Sequence, residues 1–294
     1  MKLLTVGLGV ACFMGVNLCA QENYIELGGG FLSEKNSFSA ESKSVISQYG
    51  KSDNDTRAIP YAAFNYTCHY NNSMAVYLQS QKGDIRLGST INNLNFGFVI
   101  KPLADEEWSN PYLLNQDRSK TDVSEMGGYV GYTFKADAYK LALQYQVTTV
   151  DYDNDALDST LKRDAIRHTL SAKNSYKNYL LGLEYEKYDA DGKASAYDKY
   201  MAEVGYHDKF FTNLSVLTAL GAGVKEYDAT NQILGKKIDA TLLSATVALK
   251  LDNPMDIGKN TYVSLVVKAT QEDANHDFYD KEQVASMVSV GYKF

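Results

Sequence analysis

The chain has 294 residues, a formal net charge of −7 and an isoelectric point near 5.2. An acidic chain with few basic runs is not built to hold nucleic acid. Beyond the first twenty residues the best apolar run is 94–100, far too short for a spanning helix, while tyrosine occurs 23 times and proline only 4.

Residues 1–20, MKLLTVGLGVACFMGVNLCA, carry a lysine at position 2, an apolar stretch through Val16 and a small residue at Ala20. This pattern predicts a cleavable secretory signal peptide ending at Ala20, with 21–294 as a single domain. Neither Cys12 nor Cys19 sits in a lipobox, because Leu18 is too bulky before Cys19 and Cys12 comes too early. Both leave with the signal. Cys68 is then the one cysteine of the mature chain, and it reads as a small apolar strand residue rather than a reactive thiol.

From there the chain alternates. A period of two marks a strand with one apolar and one polar face. It predicts strands near 22–31, 57–69, 73–81, 84–90, 93–101, 123–135, 138–152, 164–173, 177–189, 196–207, 212–227, 237–251, 259–271 and 283–294. Leu181, Leu183, Val216, Leu220, Leu265 and Val267 fall on the apolar faces. The stretch 82–102 reads as one strand or two. One strand gives an odd total and puts the short Lys135–Ala138 connection on the wrong side; two strands about Asn92-Asn93 give an even number, as bacterial barrels require. A soluble sandwich also alternates. Segment length, tyrosines near strand ends and an amphipathic last strand favour an all-β fold, a closed antiparallel transmembrane barrel of about fourteen strands, with twelve or sixteen as the alternatives.

Connections sort by length. Tyr70-Asn71-Asn72, Ala136-Asp137, Asn174-Ser175 and Asn253-Pro254 read as short periplasmic turns. Longer outer loops are expected at 32–56, 102–122, 153–163, 189–195, 228–236 and 272–282, with both termini periplasmic in a Gram-negative outer membrane. Tyr-Asp recurs at Tyr152-Asp153, Tyr188-Asp189, Tyr197-Asp198, Tyr227-Asp228 and Tyr279-Asp280. Each reads as an interfacial tyrosine followed by a charge in water, giving an acidic rim where divalent cations gather loosely.

Sites for chemistry are sparse. Asp151, Asp153 and Asp155 are spaced like the opening of a calcium loop, but Ala156 stands where glycine is required and Lys162 where glutamate is required. His168 is followed by Thr169, with no serine or asparagine in register for a barrel hydrolase. Asp273, His276, Asp277 and Asp280 form a cluster that acidic loops produce freely. His69, His168, His207 and His276 have no metal-ligand spacing. The reading is a barrel without enzymatic activity, cofactor or metal centre.

The segment 108–122 stands apart. Trp108, Pro111-Tyr112-Leu113, Arg118 and Thr121-Asp122 resemble an uncharacterised family of proteobacterial outer-membrane barrels, with weaker similarity over 57–81 and the alternating C-terminal half. The resemblance implies location and fold, and no substrate. The chain is shorter than such relatives between 82 and 102.

Strand parity turns Glu26, Arg86, Lys101, Glu125, Arg167, Lys173, Glu184, Glu186, Lys199, Glu203, Lys225 and Lys268 inward, alternating with glycine, serine and threonine. Polar residues of both signs inside favour water over a packed core, and fourteen strands lie between a filled barrel and an open porin. A monomeric porin-like channel for small hydrophilic solutes or ions is expected. A non-conducting barrel whose loops bind partners or lipopolysaccharide is the alternative. The loop 102–122 is expected to fold into the mouth as a constriction, stiffened by Pro102 and Pro111, with Trp108, Tyr112, Leu113 and Leu114 packed on the wall and Arg118 paired to Asp122. Val290, Tyr292 and Phe294 share the apolar face of the last strand and are expected to act as the assembly signal read by the barrel-assembly machinery, before the barrel settles in outer-membrane lipid.

Overall fold

An amphipathic strand in lipid is stable only if no backbone edge is left open, so a chain of such strands must close on itself. The computed structural model describes residues 23–81, 83–254 and 258–294, and not the side chains of 81 and 102–104. The expected signal peptide, 1–20 with Cys12 and Cys19, lies outside the described residues. Among the described residues the chain forms fourteen antiparallel strands: β1 (Tyr24–Asn36), β2 (Asp55–Asn71), β3 (Met74–Gln81), β4 (Asp84–Ile91), β5 (Leu94–Trp108), β6 (Lys120–Ala136), β7 (Tyr139–Tyr152), β8 (Ala165–Tyr176), β9 (Tyr179–Ala190), β10 (Tyr197–Phe211), β11 (Leu214–Asn231), β12 (Lys236–Asp252), β13 (Thr261–Ala274) and β14 (Lys281–Lys293). Each pairs with its sequence neighbours, and β14 returns to β1 to close the barrel. Leu27 faces Val290 on one side and Ala62 on the other. The Phe294 N–H donates to the Asn23 carbonyl at 2.9 Å.

The expected lipid face is the outer face. Leu27, Phe98, Leu183, Leu220, Leu265, Val267 and Val288 are exposed large apolar residues on the barrel wall, the apolar band that a membrane-spanning barrel presents. Exposed rings collect at the end carrying the short turns: Tyr70, Phe134, Tyr176, Tyr179, Phe211 and Phe294. Cys68 is free and exposed on β2. No helix among the described residues is long and apolar enough to cross a membrane.

Among the described residues five non-glycine residues have positive φ, Asn115 in the β5–β6 loop at 56° and four in the short turns: Asn92 at 55°, Asp137 at 46°, Lys177 at 52° and Asn253 at 49°. Asn and Asp tolerate that conformation because the short side chain bonds locally. Lys177 has no such help, and it explains one misplaced turn. Asn174-Ser175 continues β8, and the reversal falls at 177–178, because inter-strand pairing out to Tyr176↔Tyr179 outweighs the local turn preference of Asn-Ser.

Strands overshoot the lengths expected from a bilayer. β5 runs to Trp108 and β6 begins at Lys120, so the loop expected at 102–122 is reduced to 109–119. The exception is the β3–β4 hairpin, with eight residues per strand. β2 pairs with β3 only from Asn65 to Asn71. Above the hairpin the first loop, 37–54, covers the edge of β5: Ala40 N–H donates to the Glu106 carbonyl at 3.0 Å and Trp108 N–H to the Phe38 carbonyl at 3.0 Å. A covered edge is a protected edge.

Candidate functional site

The interior of the barrel is charged, and its charges are matched across strands. Arg167 on β8 reaches Glu125 on β6 at 2.6 Å, and Lys101 on β5 lies 3.6 Å from the same glutamate and also pairs with Asp105. Lys199 on β10 sits between Glu186 at 3.0 Å and Glu184 at 3.5 Å on β9. Lys225 on β11 meets Glu272 on β13 at 3.0 Å. Glu26 on β1 accepts from Tyr262 Oη at 3.0 Å and from Ser289 Oγ. Arg86 on β4 donates across the lumen to Gln146 on β7 at 2.8 Å. Glu203 and Lys268 are almost fully buried on the inner wall. Buried charges are retained where each has a partner; the partners Asp105, Glu272 and Tyr262 lie outside the set read inward from alternation.

The inner wall also carries large residues that the expectation of glycine, serine and threonine omitted. Leu32, Ile59, Ala285 and Met287 form an apolar patch on β1, β2 and β14. Tyr77 and Tyr129 join their hydroxyls at 2.7 Å, and both lie against Gly88, where any Cβ would collide with them. Tyr262 lies over Gly291 in the same way. Glycine at these positions lets the tyrosine side chain pack directly against the backbone of the wall.

The Tyr-Asp tyrosines are not interfacial. Tyr188, Tyr227 and Tyr279 are buried, and Tyr197 is packed among them. Tyr188 and Tyr197 stack at 5.0 Å, Tyr197 and Tyr227 are 5.4 Å apart, and Tyr227 meets Tyr279 at 5.3 Å. Lys225 lies over Tyr197 at 4.3 Å and Arg167 over Tyr188 at 5.3 Å. The physical reason is parity: Tyr188 is two residues from Glu186, Tyr197 two from Lys199 and Tyr227 two from Lys225, so each shares its charge's inward face.

Above this collar the long loops share one apolar core. Tyr112 of 109–119, Leu157 and Leu161 of 153–164, Ala194 of 191–196, and Phe278 and Tyr279 of 275–280 are buried together, with Phe38, Ile46 and Tyr49 of the first loop against them. Tyr112 Oη lies 2.6 Å from Tyr279 Oη, and Asn231 Nδ2 donates to both, at 2.9 and 3.1 Å. Tyr112 comes from the β5–β6 connection and Tyr279 from β13–β14, so this contact spans the mouth. Burial pushes both phenols above 10.0.

Two arginines tie the β5–β6 loop to its neighbours. Arg118 does not pair with Asp122, which is exposed on β6. It donates instead to the carbonyls of Ser37 at 3.0 Å, Pro111 at 3.1 Å and Lys43, and stacks over Trp108 at 4.6 Å. Trp108 Nε1 in turn donates to Ser42 Oγ at 2.8 Å. Extending the strands put Asp122 into β6, where it faces Glu106 in register, out of reach of the loop. Burial without a carboxylate lowers Arg118 to about 10. Arg163 has carboxylates: Asp155 at 2.9 Å and Glu107 at 3.0 Å, plus the Trp108 carbonyl at 2.9 Å. Burial works against its charge, but Tyr152, Glu107 and Asp155 raise it overall.

Asp155 is therefore a buried ion-pair partner rather than part of a solvated acidic loop, while Asp151, Asp153 and Asp158 remain exposed. The cluster at 273–280 is used structurally, and Asp280 also pairs with Lys51 of the first loop at 2.9 Å. His276 Nδ1 accepts the Phe278 N–H at 3.2 Å, and Asp280 accepts the Ala274 N–H at 2.9 Å. His168 faces outward and bonds Tyr145 Oη at 2.7 Å. Among the described residues no group of three or more His, Cys, Asp or Glu is placed to hold a metal ion. Sequence reasoning missed Glu272, Lys250, Tyr262, Arg163 and Asp155. The first three were legible in strand parity; the last two were not, since their meeting depends on loop packing.

No curated protein matches this chain. Among solved structures it is similar to a Pseudomonas aeruginosa FadL homologue, with a TM-score of 0.52 at 10% identity over 93% of this chain and 91% of that one. It is also similar to the outer membrane protein OprD from Pseudomonas aeruginosa, with a TM-score of 0.47 at 9% identity over 93% and 94%. Acinetobacter baumannii OccAB4 gives 0.44 at 11% identity over 94% and 99%. The first of these likenesses is one of fold. Residues 22–293 match a family described as a protein of unknown function (DUF2860), and the chain belongs to that family.

Proposed function

We propose that this protein is an outer-membrane, porin-like channel for small hydrophilic solutes or ions, monomeric, with its termini and short turns on the periplasmic side. The observation that carries the reading is the inner wall: charges of both signs are paired along it, with tyrosines packed against its glycines. A barrel built only as a membrane anchor gains nothing from ionic pairs that cost desolvation. Glu26, Arg86, Lys101, Glu125, Arg167, Glu184, Glu186, Lys199, Glu203, Lys225 and Lys268 are proposed to line the path. The loop 109–119 is its constriction, with Trp108, Pro111, Tyr112 and Arg118 holding it, and Asp122 is reassigned to the outer wall. The apolar band takes outer-membrane lipid, the loop end meets lipopolysaccharide, and assembly uses the barrel-assembly machinery.

The shared loop core favours a second reading, a sealed barrel that acts through its outer surface. Conductance in planar bilayers separates the two. The wild type is expected to give small, discrete steps, and replacing 110–117 by a short glycine-serine link is expected to enlarge them at least severalfold. Silence of both proteins, each shown to be a folded heat-modifiable barrel, would establish the sealed barrel instead.

A further inference from the structure

The interior charges divide by height. Toward the loop end cations are matched by carboxylates, as in Arg57 with Asp55 at 2.8 Å and Glu34 at 3.2 Å, Lys199 with Glu186, and Lys225 with Glu272. Toward the turn end the balance changes. Lys135 and Lys140 stand directly opposite each other in the β6–β7 register, two residues in from the turn on the inward parity that Tyr129 and Gln146 define. Lys173 on β8, Lys209 on β10, Lys250 on β12 and Lys293 on β14 repeat the placement beside the other turns. Arg86 and Lys268 lie above them on the same inner face.

Among the described residues the carboxylates facing this half include Glu26, Asp84, Glu203 and Asp252, with Asp84 on the same face of β4 as Arg86 and 3.9 Å from it. Glu26 is bonded to Tyr262 and Ser289, and Asp252 lies 3.2 Å from Lys293 and 3.6 Å from Lys250. Asp137 and the terminal carboxylate sit at the rim, and Asp208 faces outward with Tyr206 Oη at 2.8 Å. Cations therefore exceed carboxylates in the lower lumen of a chain whose net charge is −7. Like charges placed directly opposite across a strand pair are unfavourable, and a bore with low-dielectric walls concentrates the resulting potential. A counter-ion relieves it.

We infer that the turn-end half of the lumen is an anion-binding vestibule, selecting small solutes that carry phosphate or carboxylate groups. Selectivity of passage rests on the channel reading above; binding does not. The mature chain, refolded in detergent and then in planar bilayers, is tested with Lys135→Glu/Lys140→Glu and the milder Lys135→Gln/Lys140→Gln. Under a potassium chloride gradient the wild-type reversal potential is expected to favour chloride, and the glutamate pair to lower the chloride-to-potassium ratio severalfold. Cation preference in the wild type, or an unchanged ratio in folded variants, overturns the inference. If the wild type does not conduct, the channel reading falls alone. Calorimetric titration with inorganic tripolyphosphate at low salt then decides the vestibule: at least tenfold weaker binding by either double variant supports it, and equal or absent binding in all three proteins sinks it.

Discussion

Arg118 and Arg163 are equally buried, each 5% exposed, yet they are held by different physics. Arg118 is surrounded by carbonyls and a tryptophan ring, so its loss strands hydrogen-bond acceptors but no charge. Arg163 neutralises Asp155, whose side chain is only 1% exposed. Removing one member of a buried pair costs about 3–5 kcal/mol, because the other charge stays behind. Arg163→Met is therefore expected to loosen the loop core by about that amount, and Arg118→Met by about 1–3 kcal/mol. Trp108, the single tryptophan and itself buried, reports both through its fluorescence in a urea titration. Equal midpoints for the two variants would contradict the distinction.

At the scale of one strand, β9 carries both faces of the argument in adjacent residues. Leu183 is half exposed on the outer wall, and Glu184 lies inside, 3.5 Å from Lys199. Arginine at a midplane lipid-facing position costs about 2–4 kcal/mol, so Leu183→Arg is expected to lose that much on refolding into bilayers. Glu184→Gln is expected to change little, since Lys199 keeps Glu186 at 3.0 Å. Reversing Glu184 to lysine is a different experiment, because it sets two cations side by side. β14 poses a kinetic question instead. Tyr292 and Phe294 stack at 6.5 Å on its exposed face, near the interface where an acidic residue costs under about 1 kcal/mol. Phe294→Asp is expected to refold in vitro nearly as well as wild type while giving much less folded barrel in cells. Normal cellular levels would remove Phe294 from the assembly signal.

The described residues pack in two ways, a wall held by closed inter-strand pairing and a loop cap held by its own aromatic core. They respond differently to pH. Tyr112 and Tyr279 have phenols raised above 10.0 when packed, so the packed cap binds their protons more tightly than a released cap does. That stabilisation is complete below pH 10 and is lost as pH rises from there toward the packed values. Above pH 10 the cap is expected to detach first, with Trp108 fluorescence shifting to the red while the barrel stays heat-modifiable. Simultaneous loss of both signals would show that cap and wall form one unit.

The alternation of Val288, Val290, Tyr292 and Phe294, and its repeats along the chain, determined the barrel and its fourteen strands without coordinates. A two-residue period is a local property, set by the direction of successive Cβ atoms, and it survives any arrangement of neighbours. The same rule, applied to Tyr188, Tyr197 and Tyr227, points inward and not to a lipid girdle. The reach of β5 and β6 past the expected strand ends, the meeting of Tyr112 with Tyr279, the turn of Arg118 from Asp122 to backbone carbonyls and the pairing of Arg163 with Asp155 were decided only by tertiary structure. Residues 167 positions apart meet because barrel closure brings opposite loops over one mouth, and the pairings made there depend on packing in three dimensions that no periodicity encodes.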